Sequence, residues 1–287
     1  MKTLLICPAL RPAVPQLAED APLALAPILG ESLVCHWIEH LALCGATEVR
    51  ILASDRAADV GAAVGDGARW GVKVEVVPGA YELSPAEAAA AHRPAGEPGW
   101  LPAPHDIVPM SHLPGAAGLP LFESYAGWYA ALLAWMPQAL TPARVRVSEI
   151  LPGIWVGRRA RVAPTATLVA PCWIGDQVFV EPHAVVGPGA IVEDRAVVER
   201  NARVIQSWVG PDTFVGRLTV VAGSLACGGT LTNWQTDSSL RVPDPFLLCS
   251  LAHPQPATTA AAPRAVRAVS AASRAPVLPG HALDQPL

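Results

Sequence analysis

The sequence predicts an α/β layer followed by a stacked parallel β-coil, and three observations carry that prediction. From Val156 onward an aliphatic residue returns every six positions, at Val156, Val162, Leu168, Ile174, Val180, Val186, Val192, Val198 and Val204. Small or short side chains follow four residues after each of the first eight, at Ala160, Ala166, Cys172, Val178, Ala184, Ala190, Ala196 and Ala202. Ahead of this repeat, short aliphatic runs alternate with segments of helical spacing, which implies a parallel sheet in a three-layer α/β arrangement.

A period of six is neither the 2.0 of a strand nor the 3.6 of a helix. Each hexad is therefore one flat side of a coil, with the aliphatic residue in an interior ladder and the small residue easing a tight corner. After Val204 one step contracts to five, absorbed in the turn from Gln206 to Pro211, and the rhythm resumes at Val209, Val215 and Val221. The run corresponds to about four coils of three hexads. It resembles the left-handed parallel β-helix of hexapeptide-repeat proteins, and the handedness is implied by that resemblance alone.

In chain order, Leu4 to Cys7 reads as a buried strand rather than a signal peptide, because Pro8, Arg11 and Pro12 cut its apolar run short. Ser32 to Cys44 reads as a helix stopped by Gly45, Glu48 to Ala53 as a strand, Asp55 to Val64 as a helix and Val72 to Val77 as a strand. Residues 84 to 104, rich in Ala, Pro and Gly, read as a surface excursion, and Asp106 to Met110 as a further strand. Leu121, Phe122, Tyr125, Trp128, Tyr129, Leu132, Leu133 and Met136 recur at helical spacing and predict an amphipathic helix that packs on the sheet or bridges to the coil. Phe246 to Leu248 reads as a strand capping the last coil. The expected domains are 1–140, 141–251 and an Ala/Pro-rich disordered tail, 252–287, too poor in large apolar groups to fold.

A net charge of −4 gives no basis for a nucleic-acid or membrane-surface partner, and no apolar run is long enough to span a bilayer. The six cysteines are scattered, with no C-x-x-C pair, which predicts free thiols in a reducing, cytoplasmic setting.

The first 80 residues resemble the sugar-1-phosphate nucleotidyltransferases, or NDP-sugar pyrophosphorylases. Glu19 to Pro22 with Ala26 to Gly30, the segment Leu33 to Leu52, and above all Gly65-Asp66-Gly67-Ala68-Arg69-Trp70-Gly71-Val72 carry the resemblance, and a C-terminal hexapeptide coil strengthens it. The family's glycine-rich loop after the first strand brings backbone N–H groups against nucleotide phosphates. Here that run is Ala9-Leu10-Arg11-Pro12-Ala13, the family's lysine falls on Leu23, and its metal-binding aspartate has only Asp106 as a counterpart. Phosphoryl transfer needs all three, so the resemblance implies a shortened, degenerate nucleotidyltransferase-like domain with no catalytic residues. The implied role is a regulatory or scaffolding subunit in sugar-nucleotide or surface-polysaccharide metabolism, assembling as a homo- or hetero-oligomer through the coil. A sugar phosphate or nucleotide remains a candidate ligand, and magnesium enters only if nucleotidyltransferase activity is retained; no other cofactor is expected.

Four further groups of residues carry candidate chemistry. Arg11 and His112 are expected at the C-terminal edge of the sheet, where α/β folds place ligands, and with Asp106 they form the candidate substrate site. His36-Trp37-Ile38-Glu39-His40 matches the H-x-x-E-H zinc pattern, although the resemblance already accounts for that helix and no metal site is assigned. His183, in a corner of the second coil, is the candidate general base of an acyltransferase, against the alternative of a solvated corner residue. Trp155, Trp173, Trp208 and Trp234 form either an aromatic binding surface or packing.

Overall fold

The computed structural model describes residues 1–94, 96–139 and 146–252, and Met1–Ala252 forms one compact unit. The expected boundary at 140/141 and all but the first residue of the expected tail lie outside the described residues. The α/β layer runs β1 (Lys2–Ile6), α1 (Leu33–Leu43), β2 (Glu48–Ala53), α2 (Ala57–Val64), β3 (Lys73–Pro78), α3 (Pro85–His92), β4 (Ile107–Pro109) and α4 (Tyr125–Trp135). Its sheet has the order β3-β2-β1-β4, with every neighbouring pair parallel. Strand alternation sends Leu5, Val49 and Ile51 into the large core beneath α1 and α4, and Leu4, Ile6 and Leu52 into a smaller one closed by Ala88 of α3.

Helix α3 corrects the surface excursion expected over residues 84 to 104. The Ser84 hydroxyl accepts from the Glu87 amide at 3.3 Å while the Glu87 carboxylate accepts from the Ser84 amide at 2.8 Å, a reciprocal cap ahead of an alanine run. Ser84-Pro85-Ala86-Glu87 was the available signal, and Ala/Pro composition masked it.

The coil follows the hexads. Its interior ladders are Val156, Ile174, Val192, Val209 and Ala226 on the first sheet, Val162, Val180, Val198 and Val215 on the second, and Leu168, Val186, Val204 and Val221 on the third, each strand parallel to its predecessor. The corners themselves are residues of positive φ: Gln177, His183, Arg195, Asn201, Gln206, Asp212 and Leu218. The small residues stand one position later and point inward: Val178, Ala184, Ala196 and Ala202 are fully buried. The contracted step falls at the Gln206 corner and recurs from Val221 to Ala226. Leu248–Ser250 pairs antiparallel with Thr213–Val215 and buries Leu248, so the capping strand starts at the last residue of the segment expected for it.

The outward residues of the first sheet are Trp155, Trp173, Ile191, Trp208 and Leu225, and all five are buried in the same core as α1 and α4. Tyr129 of α4 donates to the Gly189 carbonyl at 2.5 Å and stacks on Trp234, whose indole donates to the Gln206 carbonyl at 3.0 Å. The tryptophans are therefore packing between layer and coil, not an open aromatic surface. Among the described residues, no helix is long and apolar enough to cross a membrane.

Trp208 donates its indole N–H to the buried Glu193 carboxylate at 3.1 Å, whereas the buried Trp173 indole N–H has no partner among the described residues. Trp208→Phe should accordingly cost about 1–3 kcal/mol more than Trp173→Phe, because only the first strips a donor from a buried acceptor. Denaturant unfolding of the two variants measures the difference, and equal losses would contradict the assignment.

Candidate functional site

The loop after β1 is closed by the chain itself. The Glu82 carboxylate accepts from the Ala9 amide at 2.8 Å and from the Arg11 guanidinium at 2.8 Å, so the donors that would face an incoming anion already hold one. Arg11 and His112 both follow the C-terminal ends of their strands. Asp106 instead precedes β4, where its carbonyl accepts from the Leu4 amide, and its carboxylate pairs with Arg93 at 2.5 Å. His112 packs edge-on against Trp37 with ring centroids 5.2 Å apart. The three candidate substrate residues thus do not converge.

The loop Gly65 to Val72 is explained by its turn. Gly67 has φ +85°, and a Cβ there would meet the Val72 carbonyl oxygen at 2.4 Å. Asp66 accepts from the Ala68 amide at 3.0 Å, and Arg69 reaches back to the Cys35 sulfur at 2.7 Å. The H-x-x-E-H pair is also separated. His36 is buried with its Nε2 2.8 Å from the Ile28 carbonyl oxygen, while His40 faces His105.

At the seam between layer and coil, the Glu193 carboxylate accepts from the Leu29 and Gly30 amides, each at 2.8 Å, in addition to Trp208. Leu29 and Gly30 present these amides because both adopt positive φ in the tight turn between Pro27–Ile28 and Glu31–Ser32. A cavity of about 270 Å³ lies beside this clamp, lined in part by Cys35, Arg69, Glu193, Asp194 and Arg195. Its charges are committed: Arg195 pairs with Asp212 at 2.6 Å, and Asp194 accepts from the Asp176 amide at 2.7 Å. The clamp is structural, and it was not visible in the sequence.

On the coil, His183 stands at a corner between the second and third sheets, exposed, with φ +62° and no hydrogen bond to the described residues. It is the one exposed histidine among the described residues. The Asn201 corner sits one coil further on, its amide donating to the Pro182 carbonyl at 3.3 Å. Around this ridge the outward side chains Phe179, Leu218 and Val220 are exposed, and Arg161 lies over the Phe179 ring at 5.4 Å.

No protein-family model matches the chain, and no curated protein matches it. Among solved structures, it is similar to the acetyltransferase domain of PglB from Neisseria gonorrhoeae in complex with acetyl coenzyme A, at 13% identity and TM-score 0.23, covering 64% of this chain and 89% of that one. A second structure of that domain matches at 12% identity and TM-score 0.21, covering 63% and 88%. A point mutant of perosamine N-acetyltransferase from Caulobacter crescentus, in complex with CoA and GDP-perosamine, matches at 19% identity and TM-score 0.17, covering 63% and 93%. At TM-scores this low the likenesses carry nothing about function. None of the three is a nucleotidyltransferase, and the resemblance drawn from the first 80 residues gains no support from them.

Burial, reinforced by the charge of Asp194 and opposed by the Gly30, Leu29 and Trp208 donors, pushes the Glu193 carboxyl from its ordinary 4.5 up to about 7. The folded chain then holds this proton to higher pH than the unfolded chain. The contribution is fully present below about pH 4.5 and is lost as pH rises through about 7, on the order of 3 kcal/mol in all. Glu193→Gln should flatten this slope, as read by urea unfolding at acidic and alkaline pH; equal slopes in variant and parent would refute the assignment.

Proposed function

We propose that the coil carries the activity, and that the activity is acyl transfer from a thioester donor to an amine or hydroxyl acceptor, with His183 as general base. The observation that carries this reading is the exposed His183 imidazole at a corner between the two coil sheets whose outer faces the α/β layer leaves open. In such a step the imidazole takes the proton of the acceptor as its nitrogen or oxygen attacks the acyl carbonyl. The donor leaves as a thiolate, which the imidazolium then protonates. A sugar-class acceptor is the expectation attached to the N-terminal resemblance, and the α/β layer serves as the rigid backing of the coil.

Calorimetry with acetyl-CoA tests the donor site, and thiol release across a panel of amino sugars and nucleotide-linked amino sugars tests turnover. His183→Ala should retain acetyl-CoA binding while lowering turnover by about 10²- to 10⁴-fold. Absence of binding heat together with absence of thiol release would end the acyltransferase reading.

A second reading, a non-catalytic assembly subunit, is favoured by the Glu82 carboxylate that closes the loop over Ala9 and Arg11. Assembly through the open coil faces would bury the exposed Phe179 and Val220. The double substitution Phe179→Glu with Val220→Glu should then lower the mass seen by light scattering while the melting temperature stays within a few degrees of the parent. An unchanged mass would count against assembly through these faces.

A further inference from the structure

His40 and Cys44 stand one turn apart at the C-terminal end of α1, and the loop before β4 brings His105 to the same place. The Nε2 atoms of His40 and His105 are 3.3 Å apart, the Cys44 sulfur is 3.7 Å from the His40 Nε2, and all three ligand atoms lie within 4.8 Å of one another. With zinc-to-nitrogen bonds of about 2.05 Å and a zinc-to-sulfur bond of about 2.3 Å, tetrahedral angles separate nitrogen from nitrogen by about 3.3 Å and nitrogen from sulfur by about 3.6 Å. The two closest spacings in the cluster are therefore those of a shared metal ion. Without a metal, an imidazole–imidazole hydrogen bond and a sulfur–nitrogen hydrogen bond from Cys44 would hold the same two spacings, but both would compete for the single His40 Nε2 position, whereas one shared ion satisfies all three groups at once.

We propose that His40, Cys44 and His105 form a site for a zinc-class divalent ion, with a fourth position open to water or an exogenous ligand. The donor set of two imidazoles and a thiolate selects borderline-soft metals over magnesium or calcium. The ligands are held before any metal arrives. The Thr3 hydroxyl donates to the His105 carbonyl at 2.6 Å and the Leu4 amide to the Asp106 carbonyl at 2.9 Å, fixing the loop to β1. The Cys44 amide donates to the His40 carbonyl at 3.0 Å, fixing the other two ligands on the helix end. That end carries the negative pole of the helix, which favours a cation. A cavity of about 210 Å³, lined in part by His40, Leu43, Pro114 and Gly115, lies alongside His40. This site is independent of the acyl-transfer reading.

The test uses the full chain stripped of metal and titrated with Co(II) under reducing, anaerobic conditions. One equivalent should bind with the intense visible bands of tetrahedral cobalt and a near-ultraviolet thiolate-to-cobalt band, and Zn(II) should displace it. Cys44→Ser should abolish the thiolate band, and His105→Gln should weaken binding at least tenfold. Both residues are only partly buried, so circular dichroism of each metal-free variant should match the parent. Failure to bind one equivalent, or spectra and affinity unchanged in both variants, would overturn the proposal.

Discussion

The burial of Trp155, Trp173, Ile191, Trp208 and Leu225 between layer and coil is the constraint on which the rest of the molecule depends. A coil of hexads has three outer faces, and in an isolated coil all three are wet. Here the first face places its largest side chains outward, every 17 or 18 residues, and the α/β layer covers them. Each tryptophan removes on the order of 200 Å² from water, worth at most about 5 kcal/mol before ordering costs. Neither half is the free-standing domain that its secondary structure suggests, because the main core of the sheet contains the side chains of the coil.

That shared core decides where polar groups can survive. Glu193 stands where the neighbouring coils have Gly175 and Gly210, and its side chain leaves the coil for the seam. It is tolerated because the tight turn at Leu29 and Gly30 supplies two amides and Trp208 supplies a third donor. A buried carboxylate without those donors would cost several kcal/mol. The same turn leads directly into α1, which begins at Leu33.

Much of the fold was readable in sequence because its periods are unambiguous. The hexads predict every interior ladder, and Glu48–Ala53 is the strand that its composition indicates. The outward tryptophans were visible too, but a period locates a face without saying what covers it. The capping strand and α3 were marked by short signals, Leu248 and the Ser84/Glu87 pair, that composition obscured. The candidate sites were less readable. Glu193 binds amides 163 and 164 residues away, and His105 meets His40 across 65 residues, so no local pattern announces either contact. Of the two histidines of the H-x-x-E-H string, His40 faces His105 while His36 turns inward to Ile28. A motif fixes spacing along a helix and leaves the third partner to tertiary structure.

The candidate chemistries are separated by the same architecture. Glu82 and Arg11 satisfy one another at the sheet edge, where the resemblance to nucleotidyltransferases would place phosphates, so that edge is electrostatically self-sufficient. The seam cavity is lined by charges that already have partners. The His183 imidazole has no such commitment on the open ridge of the coil, and the thiol and imidazoles gathered at the end of α1 contact one another rather than a charged partner. A carboxylate locked to an arginine has given up most of its reactivity to stability, whereas an exposed imidazole keeps its lone pair for a proton or a metal. Function in this chain is therefore to be sought away from the covered face, where the packing of layer against coil places no demand on the side chains.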